Sequence, residues 1–135
     1  MLSKTMQDAF SEQVGNEFSS AYLYLSMALY FEGQSLPGFA KWMRVQFAEE
    51  QTHAMKMLDY VVDRGGTLSL STIEKPAADF KSATDVFQRT LAHEQKVTSL
   101  IHKLYAQASK ENDYASMEML QWFIKEQVEE EKNAS

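Results

Sequence analysis

The stretch Phe47-Ala48-Glu49-Glu50-Gln51-Thr52-His53-Ala54 sets a carboxylate and an imidazole three residues apart inside an apolar helical stripe. That stripe runs Met43, Phe47, Glu50, Ala54, Met57, Val61. Every step in it is three or four residues, the spacing that keeps side chains on one face of an α-helix. Three further stretches have the same character. One runs Phe10, Val14, Glu17, Ala21, Tyr24, Ala28, Phe31, another Phe87, Leu91, Glu94, Thr98, Ile101, Tyr105, and the last Leu120, Phe123, Gln127, Glu130, Ala134. Each of the four seams is interrupted by a residue able to bind a metal. A carboxylate on such a face is costly to bury unless it is paired or coordinates a cation. Four such breaks predict a cation.

Helix boundaries turn the pattern into geometry. The first helix is expected from about Ser3 to Glu32, stopping at Gly33 as a left-handed cap. Pro37 suits the first turn of a second helix that ends at Gly65-Gly66. Ser82 and Asp85 form a capping-box-like start for the third, and Asp113 an N-cap for the fourth. With the turns centred near Ser35 and Asn112, Glu17 and His53 lie 18 residues either side of the first centre, and Glu94 and Glu130 18 either side of the second. At about 1.5 Å rise per residue, all four sit roughly 27 Å from their turns. Two antiparallel hairpins packed together bring them to one level. The segment Gly66 to Lys81 holds 16 residues, more than an up-down loop needs. Extended, it reaches roughly 50 Å, enough for a long crossover that makes the second and third helices parallel. The predicted fold is all-α, a four-helix bundle of two hairpins forming one domain over residues 1–135.

Composition agrees. The 135 residues are 44% hydrophobic, with five glycines and two prolines, enough apolar material for one core. No apolar run approaches a membrane span and the N-terminus lacks a signal-peptide core, so a cytoplasmic location is expected, with no membrane partner. The absence of cysteine excludes disulfides, thiolate metal sites and cysteine nucleophiles. A net charge of -6 argues against a nucleic-acid partner and suits an acidic, cation-attracting surface. One imidazole and several carboxylates without sulfur suit iron or manganese better than structural zinc. Glu50 and His53, three apart on a helix, point into one pocket.

These residues resemble the ferritins, and among them the bacterial non-haem ferritins. The resemblance spans the chain. It rests on Glu17-x-x-x-x-Ala21-Tyr22, on the stretch 47–54, on His93-Glu94, and on Leu120-Gln121-Trp122-Phe123 followed by Glu126-Gln127-Val128-Glu129-Glu130-Glu131. It implies that Glu17, Glu50 and His53 hold one iron, with Glu50 bridging to a second iron held by Glu94 and Glu130 and flanked by Gln127. It implies a third iron site at Glu49, Glu126 and Glu129, which spacing alone reads as a solvated acidic face. Tyr24, by spacing a core tyrosine, matches a ferritin tyrosine that can donate an electron. Trp122 reads as packing; His93 and His102 read as surface residues. A bacterioferritin has a second Glu-x-x-His where this chain has Gln127-x-x-Glu130, and a haem-ligating methionine where it has Gln51, so no haem is expected. A rubrerythrin needs cysteine-held iron, and the DNA-protecting mini-ferritins place their ligands between subunits.

The implied function is iron storage. A di-iron ferroxidase centre oxidises Fe(II) with O2 or H2O2, and ferric oxide collects inside a homo-oligomeric shell of twenty-four subunits. Outward apolar residues such as Leu25, Leu29, Trp42 and Tyr60 suit subunit contacts. Ferritins continue the fourth helix further than Ser135 and add a short fifth one, absent from this sequence. The expectation is therefore a truncated or engineered form, or a gap covered by a neighbour, with intact iron binding and weaker cage assembly. Two rivals stand beside this reading: a di-iron oxygenase or peroxidase with an organic substrate, and a helical interaction module whose buried acids are incidental.

Overall fold

The computed structural model describes all 135 residues. Four helices and no strand are present: α1 (Lys4–Gly33), α2 (Pro37–Asp63), α3 (Ala83–Lys110) and α4 (Tyr114–Ala134). They give the all-α four-helix bundle that the seams predict. Contacts group the chain into two units, Met1–Phe80 and Lys81–Ser135, each built on one helical hairpin.

Helix starts are fixed by side chains that accept orphan backbone N–H groups. Ser3 Oγ accepts from Met6 N at 3.1 Å. Ser82 Oγ accepts from Asp85 N at 3.1 Å, while Asp85 reaches back to Lys81 N at 2.9 Å. Asp113 accepts from Ser116 N and Ser116 Oγ at 3.2 and 2.7 Å. Only α2 lacks a side-chain cap, and it begins with Pro37, whose ring presets the helical φ.

Three helices end alike. Leu36 N bonds Phe31 O and Ser35 N bonds Glu32 O; Gly66 and Gly65 repeat this against Val61 and Val62; Asp113 and Asn112 repeat it against Ala108 and Ser109. This is the Schellman arrangement, which places one residue in the left-handed region. Glycine fills that position only at Gly65, with φ 77°. Ser35 and Asn112 take it in the two hairpins, with φ 57° and 55°. The cap expected at Gly33 therefore falls two residues later. Gly33 stays helical, because the turn is set by the bonds closing on Phe31 and Glu32 rather than by where glycine sits.

In the first unit, pairing is symmetric about Ser35. Phe31 meets Phe39 at 5.2 Å between ring centroids, and Phe10 meets Tyr60 at 5.5 Å. The whole first seam is buried, as are Met43, Glu50, Ala54, Met57 and Val61 of the second. Gln46, rather than Phe47, occupies the buried line of α2. After α2 the chain returns along α1. Gln7 Oε1 accepts from Thr67 N at 3.1 Å, Ser26 Oγ donates to Ala77 O at 2.6 Å, and Tyr30 packs on Phe80 at 5.4 Å. The segment thus runs from one end of α1 to the other, a crossover of the expected length. It lies close enough that a Cβ on Gly15 would come within 2.8 Å of Ser71 Oγ.

The second unit corrects the third seam. The buried line of α3 is Val86, Thr90, Glu94, Val97, Ile101, Leu104, Ala108, whereas Phe87, Leu91, Thr98 and Tyr105 are half-buried. The two stripes share Glu94 and Ile101 and otherwise differ by one position. Apolar or small residues occupy adjacent positions here (Val86-Phe87, Leu104-Tyr105), so the stripe is broad and its centre cannot be read from spacing. The slimmer side chains take the tight line and the bulky ones its margin. The fourth seam is buried throughout.

Candidate metal centre

Glu17 and Glu50 face His53 because α1 and α2 pair about Ser35, which puts Glu17 and His53 level. His53 Nδ1 lies 3.4 Å from Glu50 Oε2 and 4.0 Å from Glu17 Oε2. All three side chains are buried, and their ligand atoms lie within 4.8 Å of one another. Gln13, one turn before Glu17 and also buried, donates to Glu17 Oε1 at 3.1 Å. No hydrogen-bond donor reaches Glu17 Oε2. Burial, reinforced by the neighbouring Glu50 carboxyl, holds the Glu17 carboxyl well above the usual range; Gln13 and His53 pull the other way. Buried carboxyl oxygens converge on an imidazole, and one of them lacks any donor, leaving a set of ligand atoms that a cation would satisfy. The residues present fit an Fe(II) ion.

Glu94 and Glu130 are likewise buried, in the second unit. Gln127, also buried, points its Nε2 at Glu94, 3.1 Å from Oε2 and 3.2 Å from the backbone oxygen. The same nitrogen lies 3.1 Å from Thr98 Oγ1. Thr98 Oγ1 is in turn 2.7 Å from Glu131 Oε2 and 3.0 Å from Glu94 O. Here the carboxylate is already held by the protein.

The remaining predicted residues are less concentrated. Glu49 and Glu126 are half-buried and Glu129 is exposed, the first on α2 and the others on α4. Tyr24 is buried on α1, seven residues beyond Glu17. Trp122 is 37% exposed, with its ring edge-on to that of its chain neighbour Phe123 at 4.9 Å. His93 is not the surface residue that spacing predicts. It is half-buried, and desolvation, with Lys96 nearby, lowers its pKa to about 4. Tyr60 and Leu25, expected to face outward, are half-covered; Tyr60 lies against Phe10 and Arg64. Leu29 is 59% exposed and faces outward.

Spacing alone missed Gln13, Thr98 as a hydrogen-bonding residue, and Glu131. Gln13 had a signal: it precedes Glu17 by four residues, the distance at which side chains on one helix face meet.

Comparison with known proteins gives a consistent picture. The ferritin-like domain family matches residues 7–135. A bacterial non-heme ferritin of Bacteroides fragilis is 40% identical over 134 residues, which cover 99% of this chain and 84% of that protein. A bacterial non-heme ferritin of Staphylococcus aureus is 37% identical, covering 97% and 79%. Among solved structures, an open-pore ferritin from the hyperthermophilic archaeon Archaeoglobus fulgidus superposes with a TM-score of 0.98 at 47% identity, covering 98% of this chain and 81% of the other. The ferritin of Chlorobium tepidum superposes at 0.96 with 36% identity, covering 99% and 82%.

Proposed function

Because the chain belongs to the ferritin family, we propose that it is a ferroxidase subunit, oxidising Fe(II) and storing the ferric product. The observation that carries this reading is the buried Glu17, Glu50, His53 cluster, whose Glu17 Oε2 has no donor. One Fe(II) binds there. A second binds at Glu94 and Glu130, Glu50 bridges the two ions, and residues 1–135 act as one ferritin-like domain. Gln127 flanks the second ion by holding Glu94.

A cation bound there favours the ionised Glu17 carboxylate, against the burial that favours its protonated form. Each Fe(II) then gives up one electron. Two ions and two protons reduce one O2 to H2O2, or reduce one H2O2 to two waters. The protein's part is to hold two like charges close together inside opposing carboxylates, which replaces an encounter in water by a fixed pair. Tyr24 is an auxiliary electron donor from α1. Glu49, Glu126 and Glu129 form a third, more exposed iron site that takes ions before or after the pair. No helix is long and apolar enough to cross a membrane, and the protein works in the cytoplasm as a homo-oligomeric shell of twenty-four subunits that collects ferric oxide.

Mixing the protein aerobically with excess Fe(II) tests this. Storage gives a fast phase of two ions per chain followed by uptake far beyond two. Uptake that stops at two per chain marks an oxygenase-type centre, and no uptake marks an interaction module.

A further inference from the structure

The half-site in the second unit contains a hydrogen-bond relay that ligand spacing does not require. It runs from the half-buried Glu131 through Thr98 and Gln127 to the buried Glu94. Donor accounting fixes its direction. Thr98 Oγ1 has one proton and faces two acceptors, Glu131 Oε2 at 2.7 Å and Glu94 O at 3.0 Å. The shorter contact, to a carboxylate, is the stronger acceptor. The hydroxyl oxygen is then left to accept, which it does from Gln127 Nε2 at 3.1 Å.

That oxygen, with Glu94 O and Glu94 Oε2, surrounds one end of the Gln127 amide with three acceptors. Turning the amide over would set its carbonyl oxygen against all three. Glutamine amides have two donors at one end and an acceptor at the other, so the network permits only one orientation.

We infer that Thr98 and Glu131 are positioning residues for iron oxidation: they lock the Gln127 amide with its nitrogen toward Glu94, so that Glu94 meets the incoming metal in a fixed rotamer. Gln127 then serves the metal by holding the Glu94 carboxylate through its amide nitrogen. The inference rests on the reading of Glu94 as a ligand to the second iron. Partners that orient a ligating carboxylate typically change metal affinity or rate about 10–100-fold when removed.

Two measurements on the 135-residue protein decide it. On the metal-free protein, NMR hydrogen exchange of the Gln127 side-chain amide should be slow in the wild type and in Thr98→Ser, and faster in Thr98→Val. With Fe(II) and O2, the initial oxidation rate should fall about tenfold in Thr98→Val and stay near wild type in Thr98→Ser. In a Gln127→Leu background, Thr98→Val should cost nothing further, because the residue acts only through the amide. A general packing defect would persist in that background. Unchanged amide exchange in Thr98→Val, a wild-type rate, or a rate loss that persists in Gln127→Leu overturns the inference. A wild-type protein that failed to oxidise Fe(II) would instead remove the ferroxidase reading, while amide exchange still decided whether the lock exists. If Thr98→Val fails to fold, Glu131→Leu is measured in its place with the same expected direction.

Discussion

The α1/α2 half-site and the α3/α4 half-site each bury two glutamates, but the protein treats them differently. Glu17 and Glu50 crowd His53, and Glu17 Oε2 receives no donor, so burial pushes the Glu17 carboxyl up. Glu94 instead accepts from Gln127, which is set by Thr98 and Glu131. The first half stores an electrostatic cost that a cation relieves. The second is held ready before any cation arrives.

The steepest loss is expected at Glu50, the residue proposed to serve both iron ions. Glu50→Ala removes the carboxylate proposed to bridge both halves. It should slow the fast Fe(II) oxidation phase by at least about a hundredfold, since the two ions lose their shared position. The fold should survive, because removing one of two crowded buried acids does not destabilise the metal-free bundle. Stopped-flow absorbance, with circular dichroism as the control, checks both.

Gln13→Leu takes from Glu17 the amide that donates to its Oε1. The carboxyl should move further up, and the fast phase should slow by about tenfold at neutral pH and recover as pH rises. An unchanged rate–pH profile would show that Gln13 only fills space. Changing Glu49, Glu126 and Glu129 together to Gln should leave the first two ions fast and alter O2 consumed per iron and the rate of later turnovers. An oxygen electrode separates that from a solvated acidic face, which would change neither.

Stability against pH gives smaller effects of opposite sign. Glu17 holds its proton to higher pH folded than unfolded. Its contribution is thus complete below the ordinary glutamate value, near 4.5, and is lost as pH rises through the folded value. Glu17→Gln should raise the Tm of the metal-free protein by about 3 °C at neutral pH and little in acid. His93 runs the other way. Its pKa is lowered from 6.5 to about 4, so its contribution is present above 6.5 and lost as pH falls toward 4. His93→Gln should flatten the acid limb of the Tm–pH curve, measured by calorimetry.

Much of this was legible in the sequence because a three-or-four spacing is a strong signal when a seam is narrow. The seams of α1 and α4 are buried position for position. Turn centres were legible too: Ser35 and Asn112 are the two non-glycine residues with positive φ. Where the stripe broadened, spacing lost its centre, and the α3 face came out one position away, on Val86, Val97 and Leu104. Gly33 misled because a Schellman end selects a position, and serine can occupy it. In the site, ligand candidates stood out as breaks in apolar seams. Thr98 and Glu131 did not, because a polar residue has the same spacing whether its side chain meets solvent or another ligand-holding group; Gln13 was traceable only through its four-residue step to Glu17. His93 shows the same blindness, since burial at a margin depends on packing that period alone does not encode.

The proposed function requires a pair of iron ions held by these buried glutamates and His53. Anomalous diffraction at the iron edge, from crystals loaded anaerobically with Fe(II), tests it most directly. Two peaks per chain are expected, one coordinated by Glu17, Glu50 and His53 and the other by Glu50, Glu94 and Glu130, with Gln127 against Glu94. Iron found only on the surface acids, with none among these buried side chains, would contradict it.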